Sequence, residues 1–169
     1  MLNTATTYLA LLQEEDRTIK SLALDKIEKL VDEYWAEISE HIGILDKMYN
    51  DQEEEKKELI SVILSKIYYN LDDYESAIEW ALKSKEKLNI VEKSQYVKTI
   101  LKKIIDKYIS IRKANFFNKD DIIPIDERIN SIVDKIFNRC LEKGELYQAI
   151  GLSLESYDLE RVYFLFNKA

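Results

Sequence analysis

The chain has 169 residues, of which 46% are hydrophobic and 34% charged, with net charge −7, three glycines, one proline and one cysteine. That is enough apolar material for a buried core, and the scarcity of Gly and Pro excludes a turn-rich, many-stranded sheet protein. The negative charge disfavours free DNA or RNA as a partner, because phosphate binding needs a basic surface, and a lone Cys140 excludes an internal disulfide or a cysteine zinc cluster.

Apolar residues recur at about 3.6-residue spacing almost throughout, so the chain reads as all-α: a solenoid-like rod of about eight or nine helices in antiparallel hairpins, with tetratricopeptide-like packing. The N-terminus has no basic leader region, and Leu9-Ala10-Leu11-Leu12 is too short for a signal core. A short first helix is predicted over Thr4 to Leu12, with Asp16 capping the next. That second helix places Ile19, Leu22, Ile27, Leu30, Val31, Tyr34 and Trp35 on one face and continues through Ile38, Ile42 and Leu45, either unbroken or with a break near Glu33 to Ala36. Asp51 and Glu54 have capping-box spacing, as do Asp72 with Glu75 and Asn89 with Glu92. Between these signals lie a helix with Leu59, Ile60, Ile63, Leu64, Ile67 and Tyr68 inward, a helix carrying Ala77 and Trp80, and a long helix from Val97 through Ile109. A loop is expected over 115–125, the stretch that holds Pro124. Asp126 then opens a strongly amphipathic helix from Ile129 to Leu141, ended by Gly144, and a last helix is placed from about Ser156. No run approaches the roughly 18 apolar residues of a membrane span.

One phrase occurs twice. Leu71-Asp72-Asp73-Tyr74 leads into Ala77-Ile78 and Leu82; 72 residues on, Lys143-Gly144-Glu145-Leu146 leads into Ala149-Ile150 and Leu154. Upstream, Ile60, Leu64 and Tyr68 match Ile132, Ile136 and Cys140 at the same offset. A small residue on the inner face lets two helices approach closely, which is how helical-repeat scaffolds are built, and such chains bind partners rather than do chemistry.

Catalytic, cofactor and metal sites are not expected. His41 has Glu37 one turn away, two ligands at most where a metal needs three or four. Cys140 lies on an apolar stripe, where a thiol behaves as a small hydrophobe. The glycines are too scattered for a phosphate loop, and the acidic pairs Asp72-Asp73 and Asp120-Asp121 sit where carboxylates cap helices or meet solvent. The basic helix with Lys98, Lys102, Lys103, Lys107, Arg112 and Lys113 reads as a solvated face. Trp35 and Trp80 read as core packing, while Tyr68-Tyr69 and Phe116-Phe117 each place adjacent rings on different faces, so at least one ring of each pair is expected to be exposed. Leu159, Val162, Tyr163 and Phe166 close the sequence without a polar cap. This predicts that the natural protein continues past Ala169, with these four residues as a continuation interface that in a truncated chain would drive self-association.

Several phrases in order carry a family resemblance: Trp35-Ala36-Glu37-Ile38-Ser39-Glu40, Ser65-Lys66-Ile67-Tyr68-Tyr69-Asn70-Leu71, Tyr96-Val97-Lys98-Thr99-Ile100, Pro124-Ile125-Asp126-Glu127-Arg128, and Arg139-Cys140-Leu141 running on to Gln148-Ala149-Ile150-Gly151-Leu152-Ser153-Leu154-Glu155. Together they resemble the N-terminal region of the proteasome non-ATPase regulatory subunit 1 family, the larger proteasome/cyclosome-repeat scaffold subunits of the regulatory particle. The resemblance implies one α-helical N-terminal domain over 1–169. It further implies no catalysis and no cofactor, and other regulatory-particle subunits as protein partners; charge, hydropathy and the lack of a signal core separately lead to the expectation of no nucleic acid or membrane partner and a cytoplasmic and nuclear location. The repeats themselves are missing, so functions of that part of the family are not carried over. The alternative is a free-standing tetratricopeptide-like adaptor that captures a partner peptide.

Overall fold

The alternation of apolar helical faces with polar breaks folds as nine α-helices and one short 3-10 turn among the described residues of the computed structural model, which cover 5–51 and 54–168. The helices are α1 (Ala5–Leu11), α2 (Arg17–Ser39), α3 (Ile42–Asp51), α4 (Glu54–Asn70), α5 (Tyr74–Lys83), α6 (Gln95–Phe117), α7 (Glu127–Glu142), α8 (Leu146–Glu155) and α9 (Leu159–Lys168), with the 3-10 turn at Lys85–Lys87. The all-α reading therefore holds. Two compact units divide the chain, Met1–Ile100 and Leu101–Ala169, and α6 contributes its first residues to one and the rest to the other.

In the first unit, α4 is the hub. Ile60, Ser61, Ile63, Leu64, Ser65 and Ile67 are all fully buried, because α2, α3 and α5 pack around it. A helix buried on most sides has to be apolar nearly all round, which explains the run Leu59-Ile60-Ser61-Val62-Ile63-Leu64. Two serines interrupt that core without penalty. The Ser61 hydroxyl donates to the Lys57 carbonyl at 2.7 Å, and the Ser65 hydroxyl donates to the Ala77 carbonyl of α5 at 2.6 Å. Ser65 in turn accepts from the Tyr96 hydroxyl at 2.8 Å, so one small polar residue links α4, α5 and α6. Tyr96 also meets Tyr69 edge-on at 5.4 Å.

The second unit packs α7, α8 and α9 around Phe137, Cys140, Ala149 and Leu165, with Ile136, Leu141, Leu146, Ile150 and Leu152 against them. The expected stripe on α7 is present: Ile129, Val133, Phe137 and Cys140 are buried, and Ile132, Ile136 and Leu141 half-buried. The Asp126 carboxylate caps α7 by accepting from the Arg128 backbone N–H at 2.9 Å and pairs with the Arg128 guanidinium, whose hydrogen bonds hold that carboxyl below its ordinary pKa.

The repeated phrase is a repeated turn. At the end of α4 the Asp72 N–H donates to the Tyr69 carbonyl and the Asp73 N–H to the Tyr68 carbonyl. At the end of α7 Gly144 donates to Leu141 and Glu145 to Cys140, and at the end of α8 Tyr157 donates to Leu154 and Asp158 to Ser153. These are three Schellman motifs, each with its pivot in the left-handed region: Asp72 at φ 59, Gly144 at φ 71, Tyr157 at φ 54. The first two match bond for bond at the 72-residue offset of the repeated phrase. Ala77 and Ala149 are both fully buried one turn inside the helix that follows. The equivalence stops at the far end of that helix, where Leu82 is buried and Leu154 is 53% exposed.

Several boundaries differ from expectation, each for a hydrogen-bonding reason. Asp73, not Asp72, caps α5, accepting from the Ser76 N–H at 3.2 Å and the Ser76 hydroxyl at 2.7 Å, because Asp72 is taken by the left-handed pivot. Ser94, not Asn89, caps α6 through the Val97 N–H; Asn89 instead makes a local turn with the Val91 N–H. Ser156 ends α8, and Asp158 opens α9 by accepting from the Arg161 N–H at 3.2 Å. The α2 pattern breaks twice: Tyr34 leaves helical geometry at φ −110 and ψ 23, and the helix ends before His41, with α3 starting at Ile42. Leu22, expected inward, is 57% exposed, since Ala23 and Leu24 take the buried positions. The connection before α7 runs over 118–126, as α6 extends to Phe117. The capping box at Asp51 and Glu54 spans residues 52–53 and lies outside the described residues.

A methyl group added at Gly144 would meet nothing within 4 Å, so the cost of a side chain there is that of positive φ alone. Gly144→Ala should lower stability by about 1 kcal/mol, read as a lower urea midpoint with unchanged slope. Tyr96 supplies a pH signature. Burial pushes its phenol from 10.0 up to about 12, a shift that its hydrogen bond to Ser65 partly offsets. Below about pH 10 the group is neutral in both states and contributes no slope. From about pH 10 to 12 the unfolded chain gives up the proton while the folded chain keeps it, so stability should fall by on the order of 2–3 kcal/mol. In Tyr96→Phe that component of the alkaline decline should vanish, at a cost of about 1 kcal/mol at neutral pH for the lost hydrogen bond.

Candidate protein-interaction surface

His41 sits at the joint between α2 and α3, its backbone N–H donating to the Ile38 carbonyl at 2.9 Å, with Nδ1 buried and lacking a hydrogen-bond partner among the described residues. Glu37, the second residue of the suggested metal pair, accepts a hydrogen bond from the Thr6 hydroxyl of α1. Cys140 belongs to the second unit and His41 to the first. The Cys140 thiol is buried beside Gln148, and burial, aided by Glu145, pushes its pKa above the ordinary value. Among the described residues no cluster of three or more His, Cys, Asp or Glu is arranged to hold a metal, and no helix is long and apolar enough to cross a membrane. A cleft of about 520 Å³ in the first unit mixes Leu12, Ile44 and Met48 with Lys20, Lys47 and Asp51.

What the second unit does present is an apolar surface on a rigid support. On α9, Leu159, Tyr163 and Phe166 recur at spacings of four and three, and are 63%, 71% and 68% exposed, with Val162 half-buried between them. The opposite side of α9 is anchored by buried Leu165. Arg161 fixes the helix further: its guanidinium lies 4.7 Å over the Phe137 ring, pairs with Asp134 of α7 and meets Asp158 at 3.3 Å. Asp158 also receives Arg112 of α6 at 3.9 Å, and the same guanidinium donates to the Ser156 carbonyl. On α8, Tyr147 and Leu154 are exposed as well.

A second aromatic group lies at the end of α6. Phe116 and Phe117 are both exposed, in keeping with the expectation of at least one exposed ring, and both contact Tyr157, at 4.7 and 5.4 Å. Tyr68 and Tyr69, by contrast, are both half-buried. The adjoining loop is held by Asn115, whose amide exchanges two 2.8 Å hydrogen bonds with the Ile123 backbone. The basic face of α6 is largely solvated: Lys98, Lys102, Lys107 and Lys113 are exposed, while Arg112 is engaged as described.

The ion-pair network was the part sequence reasoning missed. Asp158 and Arg161 have a recognisable capping spacing, but nothing local ties Arg161 to Asp134, 27 residues away.

Residues 3–169 match the family described as 26S proteasome subunit RPN2, N-terminal domain. The chain is 42% identical over 159 residues to the 26S proteasome regulatory subunit RPN2 of Eremothecium gossypii and 38% identical over 165 residues to that of Saccharomyces cerevisiae, each alignment covering 94% of this chain and 17% of the relative. It is 38% identical over 160 residues to the 26S proteasome non-ATPase regulatory subunit 1 of Dictyostelium discoideum, covering 94% of this chain and 16% of that protein. The chain thus spans about a sixth of the length of these relatives, at 17%. On this agreement of sequence over nearly its whole length, the chain belongs to the family of the 26S proteasome subunit RPN2 N-terminal domain.

Proposed function

We propose that this chain is a non-catalytic scaffold segment of the proteasome regulatory particle, cytoplasmic and nuclear, that holds neighbouring protein subunits in register for ubiquitin-dependent protein degradation. Family membership carries the proposal, since the relatives are named as regulatory subunits of the 26S proteasome. The structure is in keeping with it: the titratable and nucleophilic groups serve packing and capping, while rigid helices carry apolar and charged ridges outward. Because those relatives are subunits of a larger assembly, scaffolding is favoured over the free-standing peptide adaptor.

Within this reading, the outward face of α9 packs against a further helix. Leu159, Tyr163 and Phe166 have the spacing of an apolar helical seam, and burying two aromatic rings there would contribute a few kcal/mol, on the order of 2 each. A tagged copy of the chain, isolated from the cells of its source, should bring other regulatory-particle subunits with it; an eluate without them refutes the scaffold reading. Replacing Tyr163 and Phe166 by Glu should sharply reduce that yield while leaving the unfolding free energy of the isolated chain, from urea titration, within about 0.5 kcal/mol of the parent.

A further inference from the structure

The exposed apolar seam of α9 is complementary to itself. Leu159, Tyr163 and Phe166 are exposed, and Val162 lies half-buried between them. When a second α9 is laid antiparallel to the first, about a two-fold axis between positions 162 and 163, Leu159 faces Phe166 of the second copy and Val162 faces its Tyr163. Each aromatic ring then meets an aliphatic side chain, so large falls against small in every layer. A parallel copy would set Tyr163 on Tyr163 and Phe166 on Phe166. The charges also permit the antiparallel pairing. Between 159 and 166 the ionised side chains are Glu160 and Arg161. Arg161 is turned back to Asp134 and Asp158 of its own chain, and Glu160 falls opposite Asn167 of the second copy, so no like charges meet. The area fits a weak dimer. At its observed exposures the seam offers roughly 400 Å² of side-chain surface per copy, and Tyr147 and Leu154 of α8, 93% and 53% exposed, raise the supply in this unit to about 700 Å². A standard interface takes about 800 Å² from each partner.

We propose that α9 pairs with α9 of a second copy of this chain, antiparallel, in an isologous dimer. The proposal rests on the reading that the outward face of α9 packs against a further helix, and it names that helix. A seam whose one arginine is already engaged offers little to select a charged partner, whereas its own complement is present at its own concentration. The support is rigid before binding, since buried Leu165 and the Arg161 contacts hold α9 from behind, which lowers the ordering cost of association. The area falls short of a standard interface, so the dimer is reversible, with a dissociation constant on the order of 10 μM. Burial of apolar surface drives it, so added salt does not weaken it.

Sedimentation equilibrium of the whole chain tests this, from about 1 to about 200 μM, a range that brackets the expected constant. A reducing agent keeps Cys140 from forming a disulfide-linked pair. The average mass should rise with concentration from 20.0 kDa toward twice that value. Leu159→Lys and Phe166→Glu should each leave the chain monomeric over the range, because each sets a charge against an apolar side chain in both halves of the symmetric interface. An equimolar mixture of the two variants should associate at least about tenfold more tightly than either alone. In that mixture the new lysine of one chain faces the new glutamate of the other, while the second layer keeps its native Phe166 and Leu159. Circular dichroism and the urea midpoint show that each variant is folded. A mass of 20.0 kDa at every concentration overturns the proposal. So does a dimer that either single variant leaves intact, or a mixture that associates no more tightly than its components. Isolation of regulatory-particle subunits is a separate readout: a monomeric chain that still brings them refutes the pairing alone, and a dimeric chain that brings none refutes the scaffold reading alone.

Discussion

Both units depend on how a helix is stopped. A chain with three glycines has few residues suited to positive φ, yet it reverses direction three times with the same pair of hydrogen bonds around a left-handed pivot. Only one of these pivots is glycine; Asp72 and Tyr157 bear the conformational cost themselves. The gain is geometric. The Schellman turn satisfies the last carbonyls of one helix and delivers an acidic residue to the start of the next, so each reversal ends one helix and begins another with no residues to spare. The antiparallel hairpins, and with them the burial of Ala77 and Ala149, follow from that turn.

The ease of reading this from sequence varies with distance along the chain. Helix identity was legible because apolar periodicity is local, and α4, α6 and α7 bury or half-bury the residues their spacing assigns. The 72-residue repeat was legible too, since a repeated turn needs the same residues at the same offsets. Cap positions were off by a few residues at Asp73, Ser94 and Asp158, because several acidic or hydroxyl side chains compete at each break and the winner depends on where the left-handed pivot falls. Leu22 was misplaced because a neighbouring pair, Ala23 and Leu24, offers an equally periodic face, and only the tertiary partner chooses between them. The α9 seam could be located from sequence, whereas the guanidinium of Arg161 bridging to Asp134 could not, as it joins residues 27 apart.

On α9 the driving force for an association would be removal of apolar area from water, which gives affinity with little directionality. Arg161 supports that surface by tying α9 to α7.

The single thiol has a practical meaning of its own. Cys140 is 7% exposed in the middle of the α7–α8 packing, with its ionisation suppressed by burial. A reagent that needs a thiolate in solution can reach it only when that packing opens, so its alkylation rate measures the frequency of such openings. The first unit has no cysteine to contribute to the signal. The chain therefore carries a one-channel clock for the breathing of its second unit, readable by mass spectrometry without an engineered labelling site, and able to register whether a partner that lands on α9 quietens the helices beneath it.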